Sequence, residues 1–341
     1  DVMNDTLLLD PVRVLRGPGH SVQLGAVLIN QGVLVGFDDE ARQQALGLGI
    51  KASPAADQLV APCLVDPHSV LETPFSGDQE TAVSLRHCAA AGGYGQIALL
   101  PRSSSWRDRP ERLQGFSLDQ DQTATVRLHL WGGFSSGGKG DELAPHGDLL
   151  EHGAIGLADD DAMVPAQLLE RALLLGEMGG CPVLVAPRDP AQQGEGLVRE
   201  GVETLRAGWP ADPVTSETLP LGQVLLLHQR HPERQLRLMN LSTAAAVQQL
   251  SGCESPPMSS VSWWHLLTDR SMLASSNPDW RVCPSLGGPD DRQLLIQAVQ
   301  QRTITAVAVH AVPLDAEDML LPGDQRPAGL SGHHVVLAAL W

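Results

Sequence analysis

VAPCLVDPHSVLETP (residues 60–74) is where the rhythm of the chain changes. Ahead of it, LLLDPVRVL, SVQLGAVLI and GVLVGF read as short alternating strands separated by Gly- and Pro-bearing turns, and DDEARQQALGLG follows as a helical patch. From Leu64 onward an apolar strand is followed by a longer helical pattern, again and again. The strands predicted are LVDPH (64–68), GQIALLP (95–101), VRLHLWG (126–132), AIGLAD (154–159), CPVLVA (181–186), QLRLMNLS (235–242), MSSVSW (258–263) and ITAVAVH (304–310). Between them TAVSLRHCAAAGG, PAQLLERALLLGEMGG, STAAAVQQLS and PDDRQLLIQAVQQR carry helix signals, several closing on Gly and the last opening on Pro289-Asp290-Asp291. Eight strands alternating with helices predict a closed (β/α)8 barrel, an α/β fold, over residues 62–341, preceded by a small β-sandwich element over 1–61. Residues 187–220, rich in Pro, Gly and Glu, read as a long loop.

The composition limits the function. Forty acidic residues against 23 basic ones leave a net charge of −17, whose field repels phosphate and argues against nucleic acid or an anionic membrane as a partner. Lys51 and Lys139 are the only lysines, so lysine chemistry has two candidates. No run approaches the roughly 18 apolar residues of a membrane span, and DVMNDTLLLD lacks the basic-then-apolar order of a signal peptide. Cys63, Cys88, Cys181, Cys253 and Cys283 are odd in number and scattered, with no CxxC. They read as reduced thiols in a cytoplasmic protein.

Reactive groups of such barrels stand at the C-terminal ends of the strands, which places His68, Arg102, Asp160, Arg188, Asn240, His265 and His310 around one mouth. A metal hydrolase needs about three protein ligands per cation, and two guanidiniums facing the same space are a poor bed for one.

These segments resemble the dihydroorotases of the amidohydrolase superfamily. Residues 60–74 are similar to PGLVDxHxHLRxP, AAAGGYGQIALLPRSSS to AAxGGxTxxxxMPNTxP, and GKGDELAPHGDLLEHGAIGLADDD to GxxLxExxxLxxAGAxxFSDDG. MNLST is similar to AHxST, VSWWHLLTD to VTPHHLLLTD, WRVCPSLGGPDDRQLL to KVNPPLRxxxDRxAL, and VAVHAVPLDAEDMLLP with AGLSGHH to the DHAPH and GxxGLE segments. Family members continue past that last segment into a final helix and returning sandwich strands, so either those pieces are absent from this sequence or the sandwich is incomplete.

Carried over position by position, the resemblance implies a depleted site. The first metal-binding His falls on His68 and the bridging Asp on Asp160, while the other four ligand positions fall on Val70, Ala186, Asn240 and His310. His310 stands at the catalytic Asp. Glu72 stands at the Arg that clamps the substrate carboxylate, a charge reversal; Arg102 and Cys283 stand at substrate-contacting Asn positions, Arg188 at the HAED Glu, and Leu314 at the last His of DHAPH. The expectation is a protein of pyrimidine biosynthesis without catalysis or cofactor. It would act as a structural or regulatory partner of aspartate transcarbamoylase, with which inactive homologues of this family assemble; self-association through the barrel is implied as well. The alternative is a working zinc-dependent cyclic-amide hydrolase with a one-metal site rebuilt from His68, Asp160 and His310.

Other signals have plain readings beside functional ones. Arg102 and Arg188 either bind an anion or pair with Asp159, Asp160 or Asp161. Gly133–Gly140 is one residue from the phosphate-cradling P-loop pattern, Gly140 standing where Ser or Thr would bind magnesium. Trp263-Trp264 reads as packing into the core, Cys283 as a buried thiol, and His333-His334 as a surface pair.

Overall fold

The computed structural model describes residues 6–73, 79–117, 125–273, 281–322 and 325–341, and the chain divides into two compact units between Leu64 and Val65. In the first, β1 (Thr6–Val14) lies between β2 (Gln23–Asn30), antiparallel, and β4 (Ala52–Val60), parallel; β3 (Val33–Phe37) pairs with β2 at the edge. Alternation puts Val12, Val14, Val27 and Ala55 on one face of this sheet. Leu8, Ala26 and Leu28 pack on Ala41 and Ala45 of the helix Asp38–Leu48. That helix stops at Gly49, whose φ of 68° is the left-handed conformation a glycine C-cap supplies.

The second unit is the (β/α)8 barrel. Its strands are β5 (Leu64–Ser69), β6 (Tyr94–Leu99), β7 (Arg127–Leu130) continuing as β8 (Gly132–Gly133), β9 (Leu157–Ala158) and β10 (Val183–Val185). After the pair β11 (Val198–Arg199) and β12 (Ala211–Asp212) come β13 (Leu236–Leu238), β14 (Met258–Ser262) and β15 (Ala306–Ala308). The recorded barrel pairings are parallel, each of the eight strands overlaps the segment predicted for it and passes its ends by no more than a residue, and the order runs β5-β6-β7 and β8-β9-β10-β13-β14-β15. At Trp131 one strand changes partner: Trp131 N donates to Leu99 O and Gly132 N to Gly156 O, both at 2.9 Å. Val70, Ala98, Leu100, Trp131, Ala158, Leu184, Ala186, Met239 and Val312 fill the interior.

The seam between β5 and β15 is built differently. Pro67 has no N–H to give, and side chains take the place of ladder bonds. Asp66 Oδ1 accepts from Val309 N at 2.9 Å, Ser69 Oγ accepts from Ala311 N at 2.8 Å, and one backbone bond joins Val70 N to Ala311 O at 2.7 Å. Asp66 Oδ2 also accepts from Ser69 Oγ and from His333 Nε2, the latter at 2.8 Å. His333 opens the helix His333–Leu340 and is 1% exposed, so it is a buried tie and not the surface residue its position suggested.

Residues 187–220 are not an open loop. They hold the helix Pro190–Gln193, the two-stranded sheet β11–β12 and the helix Val202–Ala207, and they run into the helix Thr215–Arg230. Buried charge replaces the missing apolar periodicity. Arg199 in β11 stands 3.1 Å from Asp212 in β12 and donates to Ser216 Oγ at 2.7 Å and Ser242 Oγ at 3.0 Å. Glu217 accepts from Ser242 N at 2.7 Å and from the hydroxyls of Ser242 and Thr243. Burial pushes the Glu217 carboxyl up from its ordinary value, against Arg199 and those hydroxyls. A raised folded-state value favours the protonated form, so the stability Glu217 contributes is full below the unfolded value and is lost as pH rises through the folded one. Glu217→Gln is therefore expected to gain stability relative to wild type between about pH 4 and about pH 8, read by urea denaturation at both; an unchanged difference would refute it.

Candidate functional site

The C-terminal ends of the strands do bring His68, Arg102, Asp160, Arg188, Asn240 and His310 around the barrel mouth, in groupings that spacing alone does not disclose. His68 and His310 meet directly, Nδ1 to Nδ1 at 2.9 Å, with their rings edge-on. His68 Nε2 bonds to Ser260 Oγ at 2.7 Å, and His310 Nε2 lies 3.0 Å from Asp161 Oδ1 as an ion pair, off the line of a good hydrogen bond.

The protons follow from the charges. Burial depresses His310, but the charge and contact of Asp161, with Asp160 and Asp66 behind, outweigh it and raise His310 above the usual imidazole value. Burial, then the positive His310, push His68 down to about 3. These directions favour a charged His310 donating Nδ1–H to a neutral His68, whose Nε2–H is then the one directed at Ser260 Oγ. Asn240 N also donates to Ser260 Oγ, at 3.0 Å. The series Ser260–His68–His310–Asp161 crosses the pore, with positive charge carried by a side chain.

Asp160, the expected ligand, turns elsewhere. Its Oδ2 accepts from Arg102 at 3.5 Å, and Arg102 Nε stands 3.8 Å from Glu72. The Arg102 guanidinium is therefore paired, and Glu72 supports it from the side where the resemblance places a substrate-binding Arg. Burial and the adjacent Asp161 raise the Asp160 carboxyl. Arg188 donates to Gln193 Oε1 at 2.8 Å and to Cys283 Sγ. Burial, with Asp161 behind it, pushes the Cys283 thiol far up, so it is no thiolate nucleophile. His265 is buried, and its Nε2 reaches Ser285 O at 3.4 Å. Trp263 is buried edge-on to Trp264 at 5.4 Å.

A divalent cation of the kind the fold family uses would need lone pairs from about three residues. Val70 and Ala186 are part of the apolar interior, both nitrogens of His68 are engaged, and Asn240 offers an amide whose Oδ1 and Nδ2 have no partner. The donor set does not fit. Among the described residues no three His, Cys, Asp or Glu side chains are grouped to hold a metal ion. Asn240 and His310 keep left-handed backbones, φ 54° and 46°, a strain typical of positions that serve a site.

The Gly133–Gly140 loop binds its own carboxylates. Phe134 N and Ser135 N donate to Asp159 Oδ1, Gly137 N to Asp108 Oδ2 and Gly140 N to Ser135 Oγ, so the amides a phosphate would need are spent. Burial lifts the Asp159 carboxyl to about 6. All five cysteines are free, and no described helix is long and apolar enough to cross a membrane. In the sequence Asp161 is only one of three possible partners for Arg102 or Arg188, and Ser260 is not singled out: the run Asp159-Asp160-Asp161 gives three consecutive carboxylates whose directions only the loop decides, and Ser260 carries no local signal.

No family model matches the chain. A probable dihydroorotase-like protein of Synechocystis sp. is 31% identical over 320 residues, covering 84% of this chain and 72% of that protein. A dihydroorotase of Caldanaerobacter subterraneus subsp. tengcongensis is 24% identical over 311 residues, 90% of this chain and 71% of its own. Among solved structures, the L-hydantoinase (dihydropyrimidinase) of Arthrobacter aurescens superposes with a TM-score of 0.78 at 16% identity, over 99% of this chain and 76% of that one. The dihydroorotase of Saccharomyces cerevisiae in complex with 5-fluoroorotic acid gives 0.63 at 13%, over 82% and 77%. At these identities the structures speak to the fold alone.

Proposed function

Because this chain belongs to the dihydroorotase-like family of the amidohydrolase superfamily, we propose that it is a non-catalytic homologue that serves as a structural or regulatory partner of aspartate transcarbamoylase. The observation that carries the first half is the double engagement of His68, at 2.9 Å to His310 and 2.7 Å to Ser260. Opening a cyclic amide at neutral pH needs a hydroxide made by a held cation, and a histidine without a free lone pair holds none. The Glu72–Arg102–Asp160 grouping supports the same reading. It puts two carboxylates beside a guanidinium that an anionic substrate would seek, and they compete with the substrate for it. The partner comes from the family resemblance.

The rival reading, an active hydrolase with one zinc, draws on the buried Asp160 Oδ1 and the Asn240 amide, which have no protein partner. Metal analysis of the purified protein together with a dihydroorotate ring-opening assay separates the two. The expected result is no stoichiometric zinc and no turnover, with or without added zinc. Stoichiometric zinc with turnover would overturn the proposal. Co-purification with aspartate transcarbamoylase tests the second half, and two proteins that elute separately at micromolar concentrations would reject that partner.

A further inference from the structure

We propose that the barrel binds a small monocarboxylate with a compact apolar body, in a cavity that opens at the N-terminal ends of its strands and is gripped by Arg237. The cavity measures about 160 Å3. Its inner wall is His68 and Ser260, 0% and 3% exposed, and its sides are Pro67, Trp131, Leu184 and Leu238. The opening lies at the other end of the strands, by Met258, the first residue of β14, which is 56% exposed, and by Thr305, which precedes β15. The space is thus reached from the face opposite the mouth described above.

Three features specify the occupant. The first is size: a cavity of roughly 150 Å3 with apolar walls admits benzene, and this one is closely similar. The second is charge. Arg237, at the centre of β13, is partly buried and lines the cavity, and its Nε has no partner; no carboxylate of the described residues pairs with it. In a chain of net charge −17 an unpaired guanidinium in a cavity wall is a vacancy for an anion, and its planar fork matches a carboxylate with two parallel bonds. The third is the apolar lining of Pro67, Trp131 and Leu184, which suits a hydrocarbon body and offers no second cation. Diphosphates and dicarboxylates do not suit walls of Trp, Leu and Pro with a single cation, whereas a benzoate-sized acid suits all three features.

The test uses sodium benzoate as the probe and the neutral benzyl alcohol beside it, followed by calorimetry and by the rise in melting temperature. Benzoate is expected to bind and to stabilise, and benzyl alcohol to bind more weakly. Arg237→Met, which keeps the length and apolar stem of the side chain, is expected to weaken benzoate about tenfold or more while leaving benzyl alcohol unchanged. A wild-type protein that ignores benzoate, or an Arg237→Met protein that binds it equally well, would overturn the proposal. Location is read on the wild-type protein, independently of how the variant folds. Crystals soaked in 4-bromobenzoate should show the bromine's anomalous signal between Trp131 and Leu184, and a signal only elsewhere would overturn it too.

Discussion

Asp66→Ala is expected to cost the barrel about 3–5 kcal/mol, and to lower its melting temperature by about 10 °C or more. Asp66 is 0% exposed, and its two oxygens accept from Val309 N, Ser69 Oγ and His333 Nε2. Burial alone would raise its carboxyl; the bond from His333 and then its charge hold it below the ordinary value, so it is ionised and fully used. Removing it strands a backbone N–H at the seam and an imidazole beneath the last helix, each without water to replace the lost partner. His333→Ala should cost less, because Asp66 keeps the other two donors. The double variant should fall short of the sum, since the two residues share one bond. Urea denaturation of the four proteins checks this, and an Asp66→Ala protein within about 1 kcal/mol of wild type would show that the seam is held by something else.

The second large effect belongs to the ion pair in the mouth. His310→Asn leaves Asp161 without its counter-charge and His68 Nδ1 without its proton, and is expected to cost about 3 kcal/mol. That is the low end for a buried pair, because Asp161 keeps 17% of its side chain exposed. Asp161→Asn introduced on top should return most of the loss, since two neutral amides need no compensation. A pair contributing only its geometry would give additive effects. A coupling near zero in the double-mutant cycle would therefore refute the assignment of His310 as a fixed cation.

What was legible in the sequence was the repeating part. An apolar strand buried on both faces announces itself without its neighbours, and each segment from LVDPH to ITAVAVH contains one. The apolar interior at Val70 and Ala186 was equally open to reading, because these side chains are apolar whatever surrounds them. The regions read wrongly were those held by charge. Residues 187–220 look like turn sequence because Arg199, Asp212 and Glu217, which order them, are polar and meet only in space. His333 looked superficial for the same reason, its partner standing 267 positions earlier. Asp160 and Asp161 exchanged expected neighbours because consecutive residues point opposite ways, and only the loop sets which faces the pore.

The distance between residues 66 and 333 has a bearing on how the protein is made. Pro67 leaves the first barrel strand short of a donor, and the carboxylate beside it waits for an imidazole 267 residues further on. During synthesis, the earlier strands emerge with that edge uncapped until the helix His333–Leu340 has been made, so closure of the cylinder waits for a contact 267 residues downstream. A nascent chain halted before the helix His333–Leu340 therefore exposes a sticky border to chaperones and proteases, which makes translational arrest short of that helix a hazard of this way of fastening a barrel.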